Sequence, residues 1–347
     1  MLQNEEKLVY REINSEQRRV YVDAVQTYQV LEEARLQARH YGGYMTWKKA
    51  NGKEYLFKGR ASARGVGNSL GPRSAETEAQ YDAFYRGRET TKLRIKSLED
   101  QVELKSKYAL ANRLNRLPKE ATQVCRALSR SGCKYVVVGS NALYAYEVLA
   151  GIQFNSEIVA TGDLDILLDT REKLKISIDE NPSQFIKVLQ KADKSFIVSK
   201  QQRFRAINNK GYMVDLITAV KKPTHLPNEF AQTLEEDLDI AEIEKLEWLI
   251  SAPRLESYPI GFDGVPVKLT VPDPRAFAVH KYYVSKQRNR DPVKKQRDDL
   301  QAKVILNVVN HYLPAYGFTR KALRNFPEKL QKEFLEVNTP SEEDRLW

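Results

Sequence analysis

The chain has two cysteines in 347 residues, Cys125 and Cys133, and they form no C-x-x-C or similar ligand pair. That excludes a disulfide scaffold and a structural zinc site. Long apolar runs are also missing. No stretch is long enough to span a bilayer, and the opening MLQNEEKLVYRE is too charged for a secretory signal, so the expected home is the cytoplasm, with no membrane partner. There is no internal repeat and no low-complexity tract. The glycines at 65, 67 and 71 miss the G-x-G-x-x-G pattern because position 70 is Leu, and no strand leads into them, so a dinucleotide-binding reading fails.

What is present fits an ordinary soluble protein with room for two domains, or for one with helical additions: 41% hydrophobic and 29% charged residues. Lys and Arg number 56 against 46 Asp and Glu, a formal charge of +10. That excess favours a polyanionic partner or substrate, although a generally basic surface would also account for it.

The informative stretch is 134–169, KYVVVGSNALYAYEVLAGIQFNSEIVATGDLDILLDT less its last residue. An apolar run, Tyr135 to Val138, ends in Gly139-Ser140, a helical segment follows, and a second apolar run carries Asp163 and Asp165. Strand side chains alternate, so both carboxylates point to one face. Two neighbouring carboxylates bounded by Ile166, Leu167 and Leu168 are costly unless a cation sits between them, and hard divalent ions take carboxylate oxygens. A third, Asp215, lies inside the apolar run GYMVDLI. Asp169 continues the alternation, but at about 3.3 Å per residue it lies well along the strand, where a strand-exit role suits it better.

Around this centre, Ser15 to about Gly42 reads as a helix with a good N-cap and a glycine stop. YMTWKKANGKEYLFK reads as a hairpin turning at Asn51-Gly52. Trp47, Tyr55 and Phe57 on it are either packing residues or stacking residues for a base. The next stretch is either a mobile basic loop or one in which Arg60, Arg64 and Arg73 meet phosphates. A helix is expected from Ser74 to about Asn115 with a break near Gly87, then another from 119 to about 130. SFIVSK and RFRAINNKGYMVDLITAV read as strands, the second a hairpin. EEDLDIAEIEKLEWLI reads as helical or as a helix with a short approach, LESYPIGFDGVPVKLTV as a hairpin, 272–313 as two helices split near Pro292, and the charged tail from Pro327 as peripheral.

Gly139-Ser140, then Asp163-Leu164-Asp165, then Val214-Asp215-Leu216 resembles the signature of the DNA polymerase β-like nucleotidyltransferase superfamily. GYMTWKKANGKEYL, SLGPRSAET, GSNALYAYEVLAGIQF and VPDPRAFAVHK widen the resemblance to a bacterial nucleotidyltransferase-like group. That group is similar to minimal nucleotidyltransferases and to nucleotidyltransferase toxins. The interval from Gly139 to Asp163 is longer than is usual for the superfamily. The resemblance implies an α+β fold: a nucleotidyltransferase palm with a mixed sheet and helices at 119–222, flanked by an N-terminal helical and hairpin region at 1–118 and a C-terminal hairpin and helical region at 223–347.

It implies transfer of a nucleoside monophosphate from an NTP to an acceptor hydroxyl, with RNA, such as a tRNA end, as the favoured acceptor. A protein or small-molecule acceptor and a non-catalytic palm stay open. Two Mg2+ or Mn2+ ions would be held by Asp163, Asp165 and Asp215, with the phosphates met by Gly139, Ser140 and Asn141 at a helix start. Lys281 is expected to neutralise the triphosphate, a surface lysine being the alternative, and Arg205 to reach phosphates or acceptor. His280 is read as a packed or surface histidine. The run from Lys286 to Arg297 either grips an RNA backbone or pairs with Asp291, Asp298 and Asp299. An antitoxin or other protein partner is also implied.

Overall fold

Short runs of β-branched and aliphatic residues bounded by turn residues pair readily into a covered sheet, and the chain supplies several. The computed structural model describes residues 9–60, 67–168, 185–219, 238 and 241–338. Its largest sheet holds β1 (Val136–Val138), β2 (Asp163–Leu167), β3 (Ile197–Val198), β4 (Arg205–Ile207), β5 (Met213–Ala219) and β6 (Ala241–Ile243). The order is β1-β2-β5-β4-β3, with β6 pairing the far end of β5. β2 and β5 are parallel, whereas β1 lies antiparallel to β2 and β4 antiparallel to β5. The fold is therefore α+β with a mixed sheet.

Helices α1 (Lys119–Arg130), α2 (Leu143–Ala150), α3 (Phe185–Ala192), α4 (Pro274–Ser285), α5 (Pro292–Tyr312) and α6 (Glu328–Asn338) accompany it. α1 buries Ala121, Val124, Cys125 and Leu128, an i, i+3, i+4, i+7 stripe. α4 and α5 start alike. Asp273 and Asp291 cap them through the backbone amides of Arg275 and Lys294, and each is followed by a proline whose missing N–H costs nothing there.

The chain divides into two compact units, residues 1–18, 115–262 and 267–347 in one, 19–114 and 263–266 in the other. In the first, a single apolar core runs from Leu117 to Phe334 and so joins 119–222 with most of the described part of 223–347. Several expectations change here. The tail segment from Glu328 is a helix whose Phe334 is fully buried against Tyr282, ring centroids 5.4 Å apart, so it is not peripheral. In the described part of the stretch read as helical or as a helix with a short approach, the helix is one turn, Glu247–Ile250, and a strand, β6, precedes it. Tyr10–Glu12 pairs with Ile152–Phe154, which no pattern announced. Asp169 and Arg64 lie outside the described residues.

In the second unit the hairpin Tyr44–Ala50 and Lys53–Gly59 forms as expected, with Asn51 at φ 49° and Gly52 at φ 72°, the values a type I′ turn needs. Part of the stretch read as a loop, Gly67–Pro72, is a third strand. The helix Ala75–Ala111 runs unbroken past Gly87, whose missing side chain makes room for the Tyr41 ring. Met45 and Leu56 pack on Phe84 of this helix, and Trp47 on Tyr81. Trp47 is thus a packing residue.

Candidate active site

β1 ends at Val138, directly opposite Asp165 on β2. The chain then turns through Gly139 at φ 64° into a single 3-10 turn and α2. Only glycine suits this position, because a side chain would be in the left-handed region and its Cβ would collide with the Asp165 carboxylate. The parallel register sets Asp165 beside Asp215 and Asp163 beside Met213. Asp163 and Asp165 are two apart on one strand, so all three carboxylates project from the same sheet face at the end of β1.

The cost of this gathering falls on Asp165. Burial, then the charge of Asp163, then that of Asp215 push its carboxyl up to about 7, against a smaller opposing pull from Lys281 and Arg290. Asp215 already has a counter-ion. Arg205 faces it across β4 and β5, and its Nε and Nη2 donate to the two carboxylate oxygens at 2.7 and 2.6 Å. Asp163 accepts from the Thr161 hydroxyl, and its backbone carbonyl accepts from Asn141 Nδ2 at 2.6 Å.

Around the turn, Gln301 Nε2 on α5 donates to Ser140 Oγ at 3.0 Å and to the Ile158 carbonyl at 2.8 Å. Ser140 is thereby fixed as an acceptor toward Gln301, which leaves its own proton to donate elsewhere. Asn141 Oδ1, Gln301 Oε1 and Arg297 Nε are buried with no hydrogen-bond partner. Such orphaned groups need an account, and a polar ligand is one.

Gly139, Ser140, Asn141, Asp163, Asp165, Asp215 and Arg205 are thus brought together. Lys281 has a carboxylate partner of its own, Asp298, and its charge also acts on Asp165. It is buried, not a surface lysine, and its Nζ donates to Asp298 Oδ1 at 2.7 Å while Arg290 grips Oδ2 at 2.9 and 2.7 Å. Burial raises the Asp298 carboxyl, but the charges and hydrogen bonds of Lys281 and Arg290 prevail and hold it below the usual carboxylate range. His280 is pushed down to about 3 by burial and by Lys281, so it is a neutral packed histidine.

The run from Lys286 to Arg297 is partly self-paired: Lys286 lies 3.9 Å from Asp299, Arg290 holds Asp298, and Asp291 caps α5. Gln301 and the Asp298 hub had no assigned part in the sequence reading. Their one signal was spacing: Asp298 and Gln301 stand one helical turn apart within the apolar stripe of α5, where polar residues need partners.

The donor set suits a hard divalent ion: carboxylates and an unpartnered amide oxygen, with the Asp165 carboxyl raised by burial and by the neighbouring Asp163 and Asp215. Among the described residues, however, no three His, Cys, Asp or Glu side chains are already grouped to hold an ion. Arg205 occupies both oxygens of Asp215. No helix among the described residues is long and apolar enough to cross a membrane.

No curated protein matches the chain. Among solved structures, an antigenic nucleotidyltransferase-like protein from Paracoccidioides brasiliensis aligns at 15% identity, covering 60% of this chain and 92% of that one, with a TM-score of 0.28. Residues 119–324, more than half of the chain, match the family described as nucleotidyltransferase, which spans the palm sheet, the acidic face and both α4 and α5. The chain belongs to that nucleotidyltransferase family.

Proposed function

We propose that the protein is a metal-dependent nucleotidyltransferase that moves a nucleoside monophosphate from an NTP to an acceptor hydroxyl, with RNA, such as the end of a tRNA, as acceptor. The observation that carries this reading is the strand register that aligns Asp165 with Asp215 while Asp163 shares their face. Two divalent ions, Mg2+ or Mn2+, held by Asp163, Asp165 and Asp215, would withdraw charge from the α-phosphate and from the attacking and leaving oxygens.

The acceptor oxygen bonds to the α-phosphorus as the bond to the pyrophosphate oxygen breaks, and the acceptor proton passes to Asp215. Ser140 donates its free hydroxyl proton to a phosphate oxygen, and Gln301 holds that hydroxyl in place. Arg205, once freed from Asp215, meets the triphosphate. Arg290 and Arg297 flank the leaving pyrophosphate, and Lys281 adds its charge from behind Asp298. Thr161 keeps the Asp163 carboxylate aimed. By the same resemblance the reaction serves a toxin-like role restrained by a protein partner.

The test is incubation with each labelled NTP, Mg2+ or Mn2+ and total RNA, beside an Asp163→Asn/Asp165→Asn double variant. Label on RNA that disappears in the variant is the expected result. RNA binding without transfer under any NTP and metal would favour a non-catalytic palm instead.

A further inference from the structure

The acidic site does not account for the other conspicuous charge in the chain. Between Tyr44 and Arg73 the sequence holds seven Lys and Arg against one acidic residue, Glu54. The three-stranded sheet sorts this segment into two faces. Met45, Trp47 and Leu56 face the helix Ala75–Ala111. The opposite parity, Tyr44, Lys48, Lys53, Tyr55 and Phe57, follows from the register Tyr44↔Gly59, Thr46↔Phe57, Lys48↔Tyr55 and Ala50↔Lys53.

Neither Tyr55 nor Phe57 belongs to the apolar cluster of Met45, Leu56 and Phe84, so this outer face is not part of that core. Both rings are half-buried and Lys48 and Lys53 are exposed. The Lys48 ammonium sits 3.5 Å from the Phe57 ring centroid. The glycines opposite give the rings room: the Tyr44 ring lies over Gly59 and the Phe57 ring over Gly67. The sheet thus carries aromatic rings lying across small residues, with lysines alternating along the same face.

We propose that this outer face binds single-stranded RNA, unpaired bases stacking on Tyr55 and, as Lys48 swings from the Phe57 ring to a phosphate, on Phe57, with Lys53 meeting a second phosphate. Aromatic rings interleaved with cations on one sheet face recognise exposed base planes and a polyanionic backbone together. A membrane surface or an acidic protein could also use lysines and rings, and the vesicle and duplex arms of the test separate those occupants from a single strand. The choice of RNA over DNA rests on the proposed reaction; the stacking face does not.

The experiment uses the full chain carrying Asp163→Asn/Asp165→Asn, so that no transfer interferes. Its binding to a fluorescein-labelled single-stranded 20-nucleotide RNA is followed by anisotropy across a salt series, beside the same sequence as single-stranded DNA, as duplex RNA, and beside anionic vesicles. Tyr55→Leu/Phe57→Leu keeps apolar bulk and should weaken single-stranded RNA binding at least tenfold; Lys48→Gln/Lys53→Gln should weaken it less and flatten the salt dependence.

Equal binding by the leucine variant, equal affinity for duplex or vesicles, or preference for DNA would overturn the proposal. Photocrosslinking of 4-thiouridine RNA to the unsubstituted face covers the case of a misfolded variant: crosslinks within 44–59 support the proposal, and crosslinks confined to 274–312 overturn it. The two readings fail separately. Binding here with no nucleotide transfer by the native chain sinks the reaction alone, whereas transfer to RNA with this face indifferent sinks the face alone.

Discussion

Two arginine–carboxylate forks stand in the same unit and do different work. Arg116 donates to Glu147 through Nε and Nη2 at 3.3 and 2.8 Å, and the Glu147 side chain is 1% exposed. Arg205 donates to Asp215 with the same geometry, at 2.7 and 2.6 Å. Around Glu147 every group is answered: the carboxylate also accepts from the Phe154 amide at 2.7 Å, and Arg116 donates to the Phe154 carbonyl at 2.6 Å. That fork ties α2 to the strands Asn115–Leu117 and Ile152–Phe154 and has nowhere else to go. Around Asp215 two more carboxylates lie on the same face, so under the proposed function its arginine would stand in for metal charge. On that reading the same ion pair is a clamp where the neighbours are satisfied and a releasable latch where they are not.

The clamp should show a large effect on stability. Glu147→Ala leaves Arg116 partly buried and the Phe154 amide unpaired, a loss of roughly 3–5 kcal/mol. Thermal unfolding of the metal-free protein should report it as a large fall in Tm. A Tm unchanged within error would mean that the two forks do not differ in kind.

The next effect has the opposite sign. Asp165 has its carboxyl raised to about 7, so the folded chain holds its proton more tightly than the unfolded chain does. That stabilisation is complete below an ordinary carboxylate pKa and is lost as pH rises through about 7. Asp165→Asn should therefore raise Tm at pH 8, by on the order of 1–3 kcal/mol in stability, while abolishing nucleotide transfer. The gain should shrink toward pH 5, and adding Mg2+ should raise the Tm of the native chain and not of the variant. A variant less stable than the native chain at pH 8 would show that the carboxylates are not in conflict.

The sequence carried this distinction only in part. Asp163 and Asp165 could be paired on paper because strand alternation is a local rule, whereas Asp215, on another strand, was joined to them by its place in an apolar run and by the family resemblance; Gly139-Ser140 was legible as a turn opening a helix. The Asn51-Gly52 hairpin and the break before Pro292 were likewise legible from local signals. What stayed hidden depends on contacts far apart in sequence. Gln301 reaches Ser140 across 161 positions, and Tyr10–Glu12 pairs with Ile152–Phe154. Lys281 was singled out for its charge, yet its burial on Asp298 depends on how α4 packs against α5. Gly87 looked like a helix break because the Tyr41 ring that needs the space lies outside any local window.

The latch itself tests the comparison most directly, through cation binding. Arg205 is 24% exposed at its side chain and Asp215 is 9% exposed, close to the 28% and 1% of Arg116 and Glu147, so a loss of metal-free stability on Arg205→Gln would not tell the two forks apart. The effect of that variant on cation binding should be opposite to that of removing a ligand. Without a guanidinium competing for Asp215 and adding its own positive charge, Mn2+ titrated into the NTP-free protein should bind about tenfold more tightly, about 1.4 kcal/mol, while the KM for NTP rises. Arg205→Lys retains the charge but not the two-pronged grip, so it should fall between the two. Weaker Mn2+ binding by Arg205→Gln would make Arg205 a support for the carboxylate, and the Asp215 fork would then be a second clamp like that at Glu147.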